Sequence, residues 1–274
     1  GLECLGVRGQ MLPGCGRFRS FPKGEQLGDW ISCAGAFLRL EIRRKELDLY
    51  SAYRRDLRIR RRKLPVYLPA LLVLLAGLKK YFNKPFQLEA VTIDMGLGMD
   101  YSPIQQLCDS IHVPYTIVKT EIAPIIFDHR KEKNPCSMCS KMRRGALNQA
   151  LLDRGLNKLA LGHHYDDAVI TTMLNLFFEG RFGCYSPITK MTRKDITVIR
   201  PFISTREKDI KAFVRRADLP VMKSPCPADG NTERAYMKDY LRQFDVEHRG
   251  LYERIIGALE RGEIDGWKET KRNR

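Results

Sequence analysis

The feature that most constrains this chain is a rhythm that begins near Leu64, where short apolar runs alternate with amphipathic stretches of helical period. LEAVTID (Leu88 to Asp94), PYTIVKT (Pro114 to Thr120), NKLALGHH (Asn157 to His164) and ITVIRPF (Ile196 to Phe202) have the length and composition of buried strands. Residues 103–111, 139–155, 166–180 and 204–219 read as helices, with further helices near 232–247 and 251–260. Pro103 suits a first helical position, Gly155 suits a stop, and Ser204 with Glu207 three residues on reads as a capping box. Strands alternating with helices predict an α/β fold with a parallel sheet covered by helices on both faces. Ligands of such folds bind beyond the carboxyl ends of the strands. Asp94, Gly162, His163, Asp166 and Asp167 all fall at such ends.

The most apolar segment, LPVYLPALLVLLAGL (Leu64 to Leu78), is shorter than the roughly 20 residues a membrane span needs, and Pro65 and Pro69 interrupt it. It predicts a buried helix from about Leu71. No stretch at the start has the order of a secretory signal, so a cytoplasmic location away from any membrane is expected.

Net charge is +16, which points to a polyanionic partner. Residues 1–63 carry 15 Lys/Arg against 7 Asp/Glu and supply half of that excess. They read as a poorly organised basic segment: glycines, single cysteines and arginine clusters alternate without period. ISCAGAFLRLEI (Ile31 to Ile42) is the one candidate element there, and DLRIRRRK (Asp56 to Lys63) is a solvated charge run. Residues 64–264 read as the α/β domain and 265–274 as a basic tail.

Eight cysteines in a chain of this size are not a small disulfide framework. Cys4, Cys15, Cys33, Cys108 and Cys184 are scattered singly and read as incidental or buried thiols. Cys136 and Cys139 form a C-x-x-C behind Pro135, and Cys226 stands between two prolines in SPCPADGN (Ser224 to Asn231). A structural zinc site wants four ligands. Three thiolates suit a [4Fe–4S] cluster with one iron open to an outside ligand. The residues alone leave open a cluster, a zinc site completed by Cys184 or a histidine, and unliganded thiols. Lys141, Arg143 and Arg144 beside the pair favour thiolates and could meet RNA phosphates. In LGHHYDDAVITT (Leu161 to Thr172), Asp166 can cap a helix or serve a nucleotide or magnesium site.

NPCSMCSKMRRGALN, ALGHHYDDAVITTMLNLFFEGR, ITVIRPF and SPCPADGNT, in this order, resemble the tRNA 2-thiocytidine synthetase family, PP-loop ATPases related to the tRNA-lysidine synthetases. The resemblance covers roughly Leu71 to Glu260. It implies a Rossmann-like adenine nucleotide alpha hydrolase fold and a [4Fe–4S] cluster on Cys136, Cys139 and Cys226. It implies ATP, as its Mg2+ complex, near Asp94, Gly162, His163, Asp166 and Asp167, and tRNA against Lys141, Arg143 and Arg144. The implied reaction is ATP-dependent sulfur transfer to cytidine: adenylation activates the C2–O bond, and sulfur held at the open iron displaces the adenylate. A sulfur donor such as a cysteine desulfurase and a homodimer belong to the same expectation; no residue is singled out as catalytic.

Two departures qualify it. The family's phosphate loop, SGGKDS, is absent; RIRRRKLPVYLPALL stands in its place, and arginines and prolines do not copy a glycine-rich anion cradle. Ile170 stands where the relatives' DDxxET pattern has glutamate. A front end translated one base out of frame accounts for both the missing loop and the disordered-looking start, since codons for Gly-Gly-Lys then give Arg-Arg-Lys. The expectation that follows is a sheet without its central first strand, a chain that folds poorly, and no ATP turnover. A non-catalytic RNA-binding remnant and a zinc-containing PP-loop relative are the alternatives.

Overall fold

The structure, a computed structural model, describes residues 4–9, 67–82, 85–132, 135–191, 195–221, 225–229 and 232–268. The readings of ISCAGAFLRLEI, of DLRIRRRK, of Cys15 and Cys33, and of the tail beyond Lys268 lie outside the described residues.

The described strands are β1 (Cys4–Gly9), β2 (Phe86–Asp94), β3 (Tyr115–Lys119), β4 (Lys158–Leu161), β5 (Ile188–Met191) and β6 (Ile196–Ile199). The helices are α1 (Tyr67–Tyr81), α2 (Ser102–Ser110), α3 (Pro135–Asp153), α4 (Tyr165–Phe178), α5 (Glu207–Arg216), α6 (Glu233–Glu247) and α7 (Leu251–Arg261). One sheet runs in the order β3-β2-β1-β4-β6-β5. β2 is parallel to β3 and β4 is parallel to β6, while β5 closes the far edge antiparallel to β6.

Period-two alternation in β2 feeds both faces of the sheet. Leu88 and Ala90 join Leu71, Leu72, Leu107 and Phe202 in a core under α1, α2 and α5. Val91 and Ile93 join Leu147, Leu151, Leu159 and Ile196 in a second core under α3. α6 and α7 pack on α4 through Val169, Met237, Leu241, Ile256 and Leu259. The helical cover on both faces and the parallel pairings β2–β3 and β4–β6 match the expected α/β fold, within a sheet that is mixed.

The expected vacancy at the centre of the sheet is filled. β1 lies between β2 and β4 and is antiparallel to both, with Gly6 opposite Glu89 on one side and Leu159 on the other. The two flanking strands therefore keep hydrogen-bonding partners instead of exposing backbone edges. Three element boundaries also differ from the sequence reading. α1 starts at Tyr67 because Pro69 falls within its first turn, where a missing N–H costs nothing. α3 starts at Pro135, so both Cys136 and Cys139 are on the helix. α5 starts at Glu207 after Arg206, without a side-chain cap, and Ser204 lies in the preceding turn.

Candidate functional site

At the carboxyl end of β4 the chain passes through Gly162, His163 and His164 into α4. His164 is the N-cap: its Nδ1 accepts the Asp167 backbone N–H at 3.3 Å, and the Asp167 carboxylate accepts the His164 N–H at 3.2 Å. His164 and Asp167 thus form the capping box of α4, while Asp166, left open between capping and a nucleotide or magnesium site, does not cap this helix. Accepting at Nδ1 leaves the buried ring neutral, and burial pushes the His164 pKa below its ordinary value despite the nearby carboxylates. Burial alone would raise Asp167, but His164 and an ion pair with Arg234 from α6 outweigh it and hold the group below the usual carboxylate range.

Asp166 faces the other way. Its carboxylate accepts the Glu207 backbone N–H at 2.7 Å, a charge placed at the start of α5. Glu207 gathers the Tyr67 hydroxyl at 2.5 Å, Lys238 at 2.7 Å and Lys211 at 2.8 Å. Burial would raise its pKa, but these three donors lower it to about 2. Tyr67 in turn tilts its ring against His164 with centroids 4.6 Å apart. Ile170, in place of the expected glutamate, is 2% exposed and belongs to the core under α6 and α7.

Asp94 closes β2. Its carboxylate accepts from the Gly96 N–H at 3.1 Å and the Tyr101 hydroxyl at 3.2 Å, and its carbonyl accepts from Thr120. Gly96 has φ +79, a conformation that suits glycine, and a Cβ there would press on the Thr120 carbonyl at 3.2 Å. This turn brings Met95 to the cysteines: the Cys139 thiol lies 3.9 Å from the Met95 sulfur.

Cys136 is exposed in the first turn of α3 and Cys139 half-buried one turn on; Cys226 is half-buried in its own loop. Burial raises the Cys136 pKa first, followed by the charges of Cys226 and Cys139. Among the described residues no three His, Cys, Asp or Glu side chains already stand in metal-holding geometry. The chemistry of the donor set still fits an iron–sulfur centre: three free thiols, of which Cys136 is open to solvent and, with Cys139, near a helix start. Cys184 does not complete a zinc site. It is buried in the core under α6 and α7, its thiol donates to the Ala168 carbonyl at 3.6 Å, and burial pushes it to about 11.

Lys141 and Arg144 are exposed and Arg143 half-buried on α3, one to two turns beyond the cysteines. Sequence reading missed Tyr67, Tyr185, Arg200, Glu207, Arg234 and Lys238. Arg200 was findable by the rule that found Asp94, a polar residue at a strand end. Arg234 and Lys238 carry no local signal, because only the packing of α6 on α4 brings them in.

A mixed sheet covered by helices on both faces, with polar groups gathered at its strand ends, defines an α/β protein. The family model described as the PP-loop domain matches residues 69–246, and the chain belongs to that family. It is similar to the tRNA-cytidine(32) 2-sulfurtransferase of Pectobacterium carotovorum, 34% identical over 193 residues, covering 69% of this chain and 62% of the relative. The enzyme of that name from Shewanella baltica is 33% identical over 194 residues, covering 70% and 63%. The chain thus spans about three fifths of the length of these curated relatives. Among solved structures, the U34-tRNA thiolase NcsA of Methanococcus maripaludis with its [4Fe-4S] cluster has the same fold: TM-score 0.57, 20% identity, covering 79% of this chain and 78% of that one.

Proposed function

We propose that this protein transfers sulfur to cytidine in tRNA, forming 2-thiocytidine with ATP and a [4Fe–4S] cluster. What supports the reading is the similarity to tRNA-cytidine(32) 2-sulfurtransferases, together with Cys139 beside Met95 at the carboxyl end of β2 and the charges of Cys226 and Cys139 that bear on Cys136. These cysteines would hold the cluster, which when bound supplies an open iron for sulfur. Gly162, His163, Asp166, Asp167 and Asp94 border the place for ATP and Mg2+, and Lys141, Arg143 and Arg144 the path of the RNA backbone. Tyr67, Lys211 and Lys238 keep Glu207 ionised, and Glu207 and Asp166 together fix the start of α5 beside that place. The setting is cytoplasmic, the sulfur comes from a donor such as a cysteine desulfurase, and the chain works as a homodimer. Residues 1–63 are in this reading a basic segment with a frame shift as the origin of its composition, from which Cys4–Gly9 joins the sheet as β1.

The test is incubation of anaerobically reconstituted protein with tRNA, ATP and a persulfide-generating desulfurase, followed by mass spectrometry of the digested nucleosides. ATP-dependent 2-thiocytidine is the expected product. A protein that binds tRNA and carries the cluster yet makes no thiolated nucleoside would point instead to an RNA-binding member without catalysis.

A further inference from the structure

The two cysteines of the C-x-x-C pair stand in unequal surroundings. Cys136 is exposed, whereas Cys139 is half-buried. Residues three apart lie on nearly the same face of a helix, so helical spacing alone does not separate them. The difference comes from what packs on Cys139. It lies against the core under α3 together with Met95, Met138 and Met142. Met138 and Met142 belong to its own helix, but Met95 reaches it from the end of β2, where the Cys139 thiol meets the Met95 sulfur at 3.9 Å.

Met95 is delivered there by a turn with little freedom. The Ala123 N–H donates to the Met95 carbonyl at 2.9 Å, and the Thr120 N–H donates to the Asp94 carbonyl at 2.9 Å. The Gly96 N–H donates to the Asp94 carboxylate at 3.1 Å. The backbone is therefore pinned on both sides of residue 95. The side chain that it presents is long, unbranched and polarisable, able to fit an irregular gap. A thioether accepts a hydrogen bond weakly and donates none, so it can cover a sulfur without offering a thiolate a donor.

We infer that Met95 is a positioning residue that shields Cys139 from solvent on its β2 side and makes the two cysteines chemically unequal, Cys136 open and Cys139 sheltered. Reactivity of a cysteine follows its thiolate character and its exposure. In a metal centre, the apolar shell around a ligating sulfur controls the access of water. The shield is a property of the chain itself. Its bearing on an iron–sulfur centre rests on the proposed function and adds to it the residue that guards one ligand. Met191 supplies a comparison, because it packs against the same core from β5, with β1, β4 and β6 standing between β5 and β2.

The experiment treats the metal-free full chain with iodoacetamide at low conversion and follows each cysteine by mass spectrometry of its peptide. Met95→Ala should speed the labelling of Cys139 severalfold and leave Cys136 unchanged. Met95→Leu keeps the apolar bulk and should label as wild type does, and so should Met191→Ala. Cys108 and Cys184 are buried in the core and report on the fold, since they label only where it is lost. Should they label in Met95→Ala, Met95→Val takes its place with the same two outcomes. Cys139 as slow in the trimmed variant as in wild type, or fast in Met95→Leu or Met191→Ala, overturns the shield. After anaerobic reconstitution, Met95→Ala should start from the wild-type iron content and lose iron to a chelator severalfold faster. Equal rates overturn the bearing of Met95 on the metal centre. A wild type that takes up no iron overturns the cluster reading, while the labelling result still decides the shield.

Discussion

Gly162 carries Tyr67 directly on its backbone: a Cβ built at Gly162 would stand 2.9 Å from the Tyr67 Cβ. The contact joins the end of β4 to the start of α1, the helix that follows the stretch where a glycine-rich phosphate loop was expected. Gly162→Ala forces either backbone to move, and overpacking of this kind costs about 1–3 kcal/mol. Tyr67→Gly removes the obstructing atom. In the double variant the Gly162→Ala penalty should vanish, so a double-mutant cycle read by urea unfolding should show clear non-additivity. Additive losses would mean that the two residues do not touch.

Acid should weaken this protein in two stages. Burial depresses His163 from its ordinary 6.5 to about 4, so the folded state resists a proton that the unfolded chain accepts. Stability from this group is complete above pH 6.5 and falls as pH drops toward 4. Glu207, depressed from 4.5 to about 2, contributes stability above pH 4.5 that is lost as pH falls through 2. Each group controls on the order of 2–3 kcal/mol. Denaturant midpoints measured from pH 8 to pH 4 should fall in wild type and fall less in His163→Gln. Equal slopes would remove His163 from the account.

β1 is the strand whose loss should be felt most widely, because it joins the β3–β2 half of the sheet to the β4–β6–β5 half. A proline at Gly6 removes a backbone donor in the middle of the sheet, where proline is not tolerated, and should cost about 3 kcal/mol or more. Proline at Lys190 in the edge strand β5 should cost less. Comparable melting temperatures for the two variants would show that the central slot does not depend on Cys4–Gly9.

The scaffold was legible wherever one segment carried its own signal. LEAVTID, NKLALGHH and DDAVITTMLNLFF announce their elements through apolar period and length, and their ends mark Asp94, Gly162 and Asp167. What stayed hidden was non-local. Nothing in CLGVRG says that it pairs with two strands from far along the chain, because strand pairing is set by register and not by local composition. Glu207 reads as half of a capping box, but the packing of α1 and α6 turns it toward Tyr67 and Lys238. β5, ITKM, has no continuous apolar run and so carries no local strand signal.

The cysteine site carries the largest share of the functional reading, and metal content tests it most directly. After anaerobic reconstitution the protein should be brown and hold about four irons and four labile sulfides per chain. Cys136→Ser, Cys139→Ser and Cys226→Ser should each lose the colour and most of the iron, while Cys108→Ser and Cys184→Ser, whose thiols are buried in the core, should retain both. Stoichiometric zinc in place of iron, or a full iron complement in Cys226→Ser, would contradict the account.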